Sequence, residues 1–384
     1  MRSASEPRSA PRSRRFKAAV IGTGGIARAS HLPALNQLAA EGEVDVVAAV
    51  DIDDAAVREF CADGGIPHPY TDLQRMLDEQ RPDLVSICTP PTLHREQTIA
   101  ALESGAWVWC EKPPCPSLEE YDAVQAAEGA THGPYAAVVF QHRFGSGARH
   151  VRKLIAGSEV GQPLVAHCQT TWYRDRAYYS VPWRGRWATE GGGPAMGHGI
   201  HQIDLLLDLL GPWSEVRAMA GRLVHQVETE DVSTALIRFR SGAMATIVNS
   251  VLSPDEVSRI RIDCERATIE LTHLYGYRNA DWTITPAPDV SSDLAASWRD
   301  FGADVPSSHV AQLRELIASM RAGERPRSSG PDGRNSLELI AALYKSAFTD
   351  TTVNAGEISP GDPYYTALHG NAPGWAPVAQ KVTA

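Results

Sequence analysis

The sequence predicts an α/β chain. A doubly wound parallel sheet of Rossmann type comes first, followed by a C-terminal α+β domain with a large, mostly antiparallel sheet. Three observations lead there. Short apolar runs alternate with helical segments from Phe16 to Phe140, which implies parallel strands joined by right-handed crossovers. The first of these runs stops in the glycine-rich GTGGIA. Beyond residue 163, strand-like runs often follow one another without a helix between them, as in an antiparallel sheet.

In order, FKAAVI is the first strand, and ARASHLPALNQLAA has helical spacing with Pro33 early in it or kinking it. VDVVAAVD is a strand and DAAVREFCAD a helix; DLVSICT is a strand, with a helix running on from Thr92. AWVWCE, SLEEYDAVQAAEGA and YAAVVF then read as strand, helix and strand. In the second half PLVAHCQTTW, EVRAMAGRLV, DVSTALIRF, AMATIVNSVL, VSRIRIDC and ATIEL are strand-like, often with period-two alternation. The 384 residues suit two domains. Residues 1–15 are expected to form a disordered tail, 16–140 a nucleotide-binding domain, and 141–384 a substrate-binding and oligomerisation domain.

Composition narrows the function. A net charge of -10 argues against a nucleic-acid surface. No apolar run reaches the ~18–20 residues that cross a bilayer. Six cysteines without a CxxC pair suggest reduced thiols in a cytoplasmic protein. Arg14 and Arg15 superficially resemble a twin-arginine signal, but no disposable apolar segment separates them from the first strand.

GTGGIA fits G-x-G-x-x-A between a strand and a helix. Gly22 permits a tight turn, Gly24 lets backbone approach a pyrophosphate, and Ala27 allows close helix–sheet packing. Asp51 ends the second strand, where a carboxylate accepts ribose hydroxyls and repels a 2′-phosphate; Asp53 and Asp54 add to that repulsion. This favours NAD over NADP. An ordinary turn aspartate is the competing reading, and the interval from Gly22 exceeds the usual ~20 residues. Pro90-Pro91-Thr92-Leu93-His94 and Glu111-Lys112-Pro113 follow later strand ends, where ligands of such sheets bind. Lys112 is one of five lysines in the chain.

GTGGIA, TPPTLH, EKPP and GGGPAMGHGIHQID, in that order, resemble the Gfo/Idh/MocA oxidoreductases, the glucose-fructose oxidoreductase and inositol dehydrogenase family. The resemblance spans about residues 17 to 350. It implies hydride transfer between a nicotinamide cofactor and a secondary alcohol of a sugar, cyclitol or related polyol. An NAD-dependent glycosidase with transient oxidation, and a non-catalytic dinucleotide-binding sensor, are the alternatives. The resemblance makes His201 the acid/base, across the cleft from Lys112. The family often has an aspartate four residues before this histidine, where this chain has Gly197.

The cofactor candidates are Gly22, Gly24, Gly25, Ile26, Ala27, Asp51, Thr89, Pro90, Pro91, His94, Glu111, Lys112 and Gln141. The substrate candidates are Arg143, Trp172, Tyr179, Trp183, Trp187, His198 and Asp204. Aromatic faces suit a sugar, although a packed loop is an equal reading for each, and Arg143 equally suits an ion pair. Asp204 lies three residues after His201 on the same helix face, placed to orient it or bind a hydroxyl. A metal site at His198, His201 and Asp204 is set aside because its spacing is less coherent than that of a zinc helix. An open apolar sheet face suggests a homodimer or homotetramer.

Overall fold

The computed structural model describes residues 14–129 and 131–377. Most of the expected tail, residues 1–13, lies outside the described residues, while Arg14 and Arg15 pair with Asp83 and Asp45. The first sheet holds β1 (Phe16–Ile21), β2 (Val44–Val50), β3 (His68–Tyr70), β4 (Leu84–Ile87), β5 (Trp107–Cys110) and β6 (Ala136–Val138). Their order is β3-β2-β1-β4-β5-β6, and every neighbouring pair is parallel. The winding reverses at β1, which opens a crevice beyond the carboxyl ends of β1 and β4. β3 is only three residues long, and the helix Leu73–Gln80, not assigned from the sequence, turns Leu73, Met76 and Leu77 (i, i+3, i+4) to the core.

The segment after GTGGIA is not one α-helix. Ala27–His31 forms a π turn, and the α-helix runs over Leu32–Ala40. Pro33 explains the join: it has no N–H to donate, and its ring would strike the carbonyl four residues back in a regular α-helix. The next helix, Asp54–Gly64, starts on Asp53, whose carboxylate accepts from the amides of Ala55 and Ala56.

The second sheet comprises β7 (Pro163–Tyr173), β8 (Trp213–Gly221), β9 (Val232–Phe239), β10 (Met244–Ser250), β11 (Leu252–Cys264), β12 (Ala267–His273), β13 (Trp282–Pro286) and β14 (Val353–Asn354). Its order is β13-β12-β11-β7-β10-β9-β8-β14. All pairs are antiparallel except β7 with β10. In β9 the buried Ser233, Ala235, Ile237 and Phe239 alternate with Thr234, Leu236 and Arg238, the period of a strand with one covered face. That face packs on the helices Ile200–Leu210 and Pro331–Thr349. The opposite face leaves Val165, Met219, Leu236 and Met244 exposed.

The helix His309–Ala322 returns to the first sheet. Leu313, Leu316 and Ile317 join a buried cluster with Val20, Leu35 and Trp109. Among the described residues no helix is long and apolar enough to cross a membrane. All six cysteines are buried and unpaired.

Candidate active site

The glycine turn lies at the carboxyl end of β1. Gly22 has φ +83, and a Cβ there would lie 2.9 Å from Thr89 Cγ2, so glycine is required both for the turn and for the approach of the β4 end. At Gly24 and Gly25 a Cβ would meet nothing within 4 Å. These two residues border open space at a helix start, which suits a pyrophosphate. Ile26 and Ala27 carry the chain into the π turn, with Ala27 buried. Asp51 closes the turn: its Oδ2 accepts from Thr23 N at 2.8 Å and Thr23 Oγ1 at 2.9 Å, and its Oδ1 from Asp53 N at 3.2 Å. Burial works against its charge, but these donors hold the carboxyl below its usual range.

The loops after β4 and β5 are tied together. His94 is buried, with Nδ1 2.8 Å from the Pro113 carbonyl and Nε2 2.8 Å from the Thr89 carbonyl. The ring therefore fastens the loop of Thr89, Pro90 and Pro91 to that of Lys112, and the expected contact of His94 with cofactor is corrected to this bridging place. Glu111 is corrected likewise. Its Oε1 faces His31 Nε2 at 2.9 Å and His309 Nε2 at 3.2 Å, and its Oε2 accepts from Lys112 N at 3.1 Å. The carboxylate is committed beneath the loop. Among the described residues, His31, Glu111 and His309 are the one close grouping of metal-type ligands, rather than His198, His201 and Asp204.

Lys112 reaches across to the helix of the second domain, where Nζ donates to the Gly197 carbonyl at 3.0 Å. That carbonyl belongs to a π turn, Ala195–Gly199, leading into the α-helix Ile200–Leu210. Buried Glu230 fixes the start of the turn by accepting from the amides of Gly193 and Ala195, each at 3.0 Å, and from the Tyr344 hydroxyl at 2.9 Å. Gly199 is needed for packing: a Cβ there would fall 2.0 Å from Asn249 Oδ1. A helix so tightly seated presents His198 and His201 from a rigid frame.

His201 is buried, and neither ring nitrogen has a partner. Burial first, then the nearby Lys112 charge, holds it well below the ordinary histidine range. The ring is thus neutral near pH 7, as a general base requires. Burial likewise lowers Lys112, against the charge of Glu111. His142 lies beside His201, ring centroids 5.1 Å apart, and Tyr275 lies 6.0 Å away. His198 faces Trp172 at 4.9 Å and Tyr178 at 6.4 Å. Gln141 is buried with both amide atoms unpartnered, an arrangement that suits the carboxamide of a nicotinamide.

Several substrate candidates stand elsewhere. Arg143 donates through Nε and Nη2 to the two oxygens of Asp204, both at 2.6 Å, and through Nη1 to Asp332 at 2.8 Å. Ser336 Oγ also donates to Asp204. Arg143 and Asp204 therefore satisfy each other in the core, because buried charges persist only when paired, and Asp204 makes no bond to His201, whose ring nitrogens are unpartnered. Trp187 is buried against Tyr344, with its indole N–H on the Glu228 carbonyl, so it serves packing. Tyr179 packs against His225 with the rings tilted by 44°, and its neighbour Tyr178 takes the position by His198. Trp183 is half-exposed under the Arg184 guanidinium. Sequence reasoning missed His142, Tyr178, His273 and Tyr275. The adjacency of His142 to Gln141, already placed in the cleft, was the available signal.

The turn, Asp51 and Gln141 fit a nicotinamide dinucleotide, and comparisons agree. Residues 16–137 match the description "Oxidoreductase family, NAD-binding Rossmann fold", and residues 148–270 match "GFO/IDH/MocA C-terminal domain". The chain is 25% identical to D-glucoside 3-dehydrogenase of Escherichia coli, covering 90% of this chain and 99% of that protein. It is 26% identical to D-apiose dehydrogenase of Paraburkholderia graminis, over 94% and 95%. The WlbA dehydrogenase of Chromobactrium violaceum, solved with NADH and UDP-GlcNAcA, superposes with a TM-score of 0.78 at 25% identity, covering 91% of this chain and 98% of that one. The chain belongs to the Gfo/Idh/MocA family of NAD-dependent oxidoreductases.

Proposed function

We propose that the protein oxidises a secondary alcohol of a sugar or cyclitol, with His201 taking the hydroxyl proton and Lys112 holding the same oxygen. The observation that carries this reading is the pairing of a buried, neutral, unpartnered His201 with a lysine anchored on the carbonyl four residues before it. NAD, when bound along Gly24, Gly25 and Asp51, supplies the hydride acceptor. Lys112 donates to the substrate oxygen and stabilises its developing negative charge. His201 accepts the proton at a ring nitrogen. Trp172 and Tyr178 offer apolar faces to a sugar ring. Residues 16–140 would bind the nucleotide, and 141–384 would hold the substrate and carry the contact between copies.

The names of the similar proteins favour net oxidation over a glycosidase cycle. Buried free thiols support a cytoplasmic setting. The exposed Met219, Leu236 and Met244 on the outer sheet face support a homo-oligomer in which a second copy covers them. A panel of hexosides, pentoses, uronic acids and cyclitols, with NAD and NADP compared, tests the reading by formation of reduced cofactor. Saccharide-dependent NADH formation supports it; substrate consumption without reduced cofactor contradicts it.

A further inference from the structure

We infer that His142 is the positioning residue for His201, holding its imidazole in the tautomer that turns a lone pair toward the substrate oxygen. This rests on the reading of His201 as the base. A neutral imidazole has one N–H and one lone pair, and something must select which nitrogen carries which. Gly197, four residues before His201, has no side chain for that task, and space stands open around it: a Cβ there would meet nothing within 4 Å. Both nitrogens of His201 are buried without a partner.

The His142 ring lies next to it, centroids 5.1 Å apart and planes 37° from each other. Its Nε2 is 2.7 Å from the Tyr275 carbonyl oxygen. A carbonyl only accepts, so Nε2 carries the hydrogen and Nδ1 of the neutral ring is a lone pair. That Nδ1 is buried and unpartnered. Burial, then the neighbouring His273, pushes His142 down to about 3, so the ring stays neutral across the working range. Of the other nearby acceptors, Asp204 is held by Arg143 and Gln141 suits the nicotinamide. Gln202 turns its Nε2 to His273, the two nitrogens 2.6 Å apart, and leaves its Oε1 unpartnered, but as the next residue on the helix it does not face His201. With a small turn of its ring as substrate binds, His201 donates its N–H to His142 Nδ1. The same bond supports the imidazolium once the hydroxyl proton has arrived.

Two variants separate positioning from packing. His142→Gln retains a donor for the Tyr275 carbonyl and removes the acceptor at the Nδ1 place. His142→Asn keeps an acceptor near Nδ1 and gives up the Tyr275 bond. The inference expects Gln to lower kcat/KM by about 10²-fold or more, as loss of a tautomer-fixing partner does, and Asn to lose less. A purely structural role gives the reverse order. In the Gln background, Gly197→Asp should restore at least about tenfold of the activity, because a residue four before His201 shares its helix face. NADH binding followed by fluorescence shows that each variant is folded. Wild-type activity in His142→Gln, or no recovery on adding Gly197→Asp, overturns the inference. His201→Ala distinguishes the failures: if it is inactive while His142→Gln is fully active, only the role of His142 falls; if it is active, the base assignment falls as well.

Discussion

Acidifying the cofactor-free protein should cost it stability through the histidines of its cleft. Burial is the first cause in each case: His142 is pushed down to about 3, His273 to about 4, and His198 and His201 well below the ordinary range. In the unfolded chain each titrates near 6.5, so below that pH the unfolded state binds protons that the folded state refuses, and stability falls as pH falls. Between pH ~7.5 and ~5.5 His142 and His273 together lose about 3 kcal/mol, and His198 and His201 add to the loss in the same direction. Glu230 acts in the opposite sense. Burial raises it to about 7 despite its three donors, so the folded chain gains a proton there and recovers about 2 kcal/mol. Asp204, which burial raises to about 6, acts in the same sense as Glu230, so the expected net loss is on the order of a few kcal/mol, a sizeable share of the 5–15 kcal/mol typical of proteins. His31 and His94, also lowered by burial, act in the same direction as the cleft histidines. Urea unfolding at a series of pH values measures this, and His142→Gln should reduce the loss by about 1 kcal/mol. Stability that stays flat or rises on acidification would refute the neutral, buried state of these rings.

Four further outcomes follow from the geometry. Asp204→Asn should destabilise the fold by about 3–5 kcal/mol by leaving Arg143 short of its partner, while kcat per folded molecule stays near wild type; calorimetry and active-site titration separate the two. Gly24→Ala should fold normally and weaken NAD binding in calorimetry, whereas Gly22→Ala should lower the melting temperature, because only Gly22 has positive φ and a close neighbour. Asp51→Ser should weaken NAD binding and relax discrimination against NADP, as read by isothermal titration. The pH profile of kcat/KM should lack an acid limb near 6.5 and should fall on the alkaline side below the ~10.4 of free lysine, because burial lowers both His201 and Lys112.

The legible parts of this molecule were the local ones. GTGGIA could be read because strand, turn and helix are contiguous, and β7 through β12 because alternation survives within each strand. The π turns at Ala27 and Ala195 were hidden, since each depends on how a proline-bearing segment meets its surroundings. The helix His309–Ala322 was not among the sequence-based assignments, and its place on the first sheet is set by long-range packing against Val20, Leu35 and Trp109. Arg143 and Asp204 were each recognised as special, yet their pairing is a long-range fact, and no spacing rule reveals that two charges neutralise each other. Trp187 illustrates the same limit: an aromatic in an aromatic-rich loop reads alike whether it meets a sugar or Tyr344. His142 gained its significance only when the fold laid it beside His201.

The assignment of His201 and Lys112 to one substrate oxygen is tested most directly by single-turnover NADH formation in His201→Ala, Lys112→Ala and the double variant, using a saccharide that the wild-type protein oxidises. Each single variant should lose about 10²–10⁴-fold in the hydride step with NAD affinity nearly unchanged. The double variant should lose less than the product of the two, because both groups serve one atom. Wild-type rates in His201→Ala, or fully multiplicative losses, would contradict the shared-oxygen arrangement.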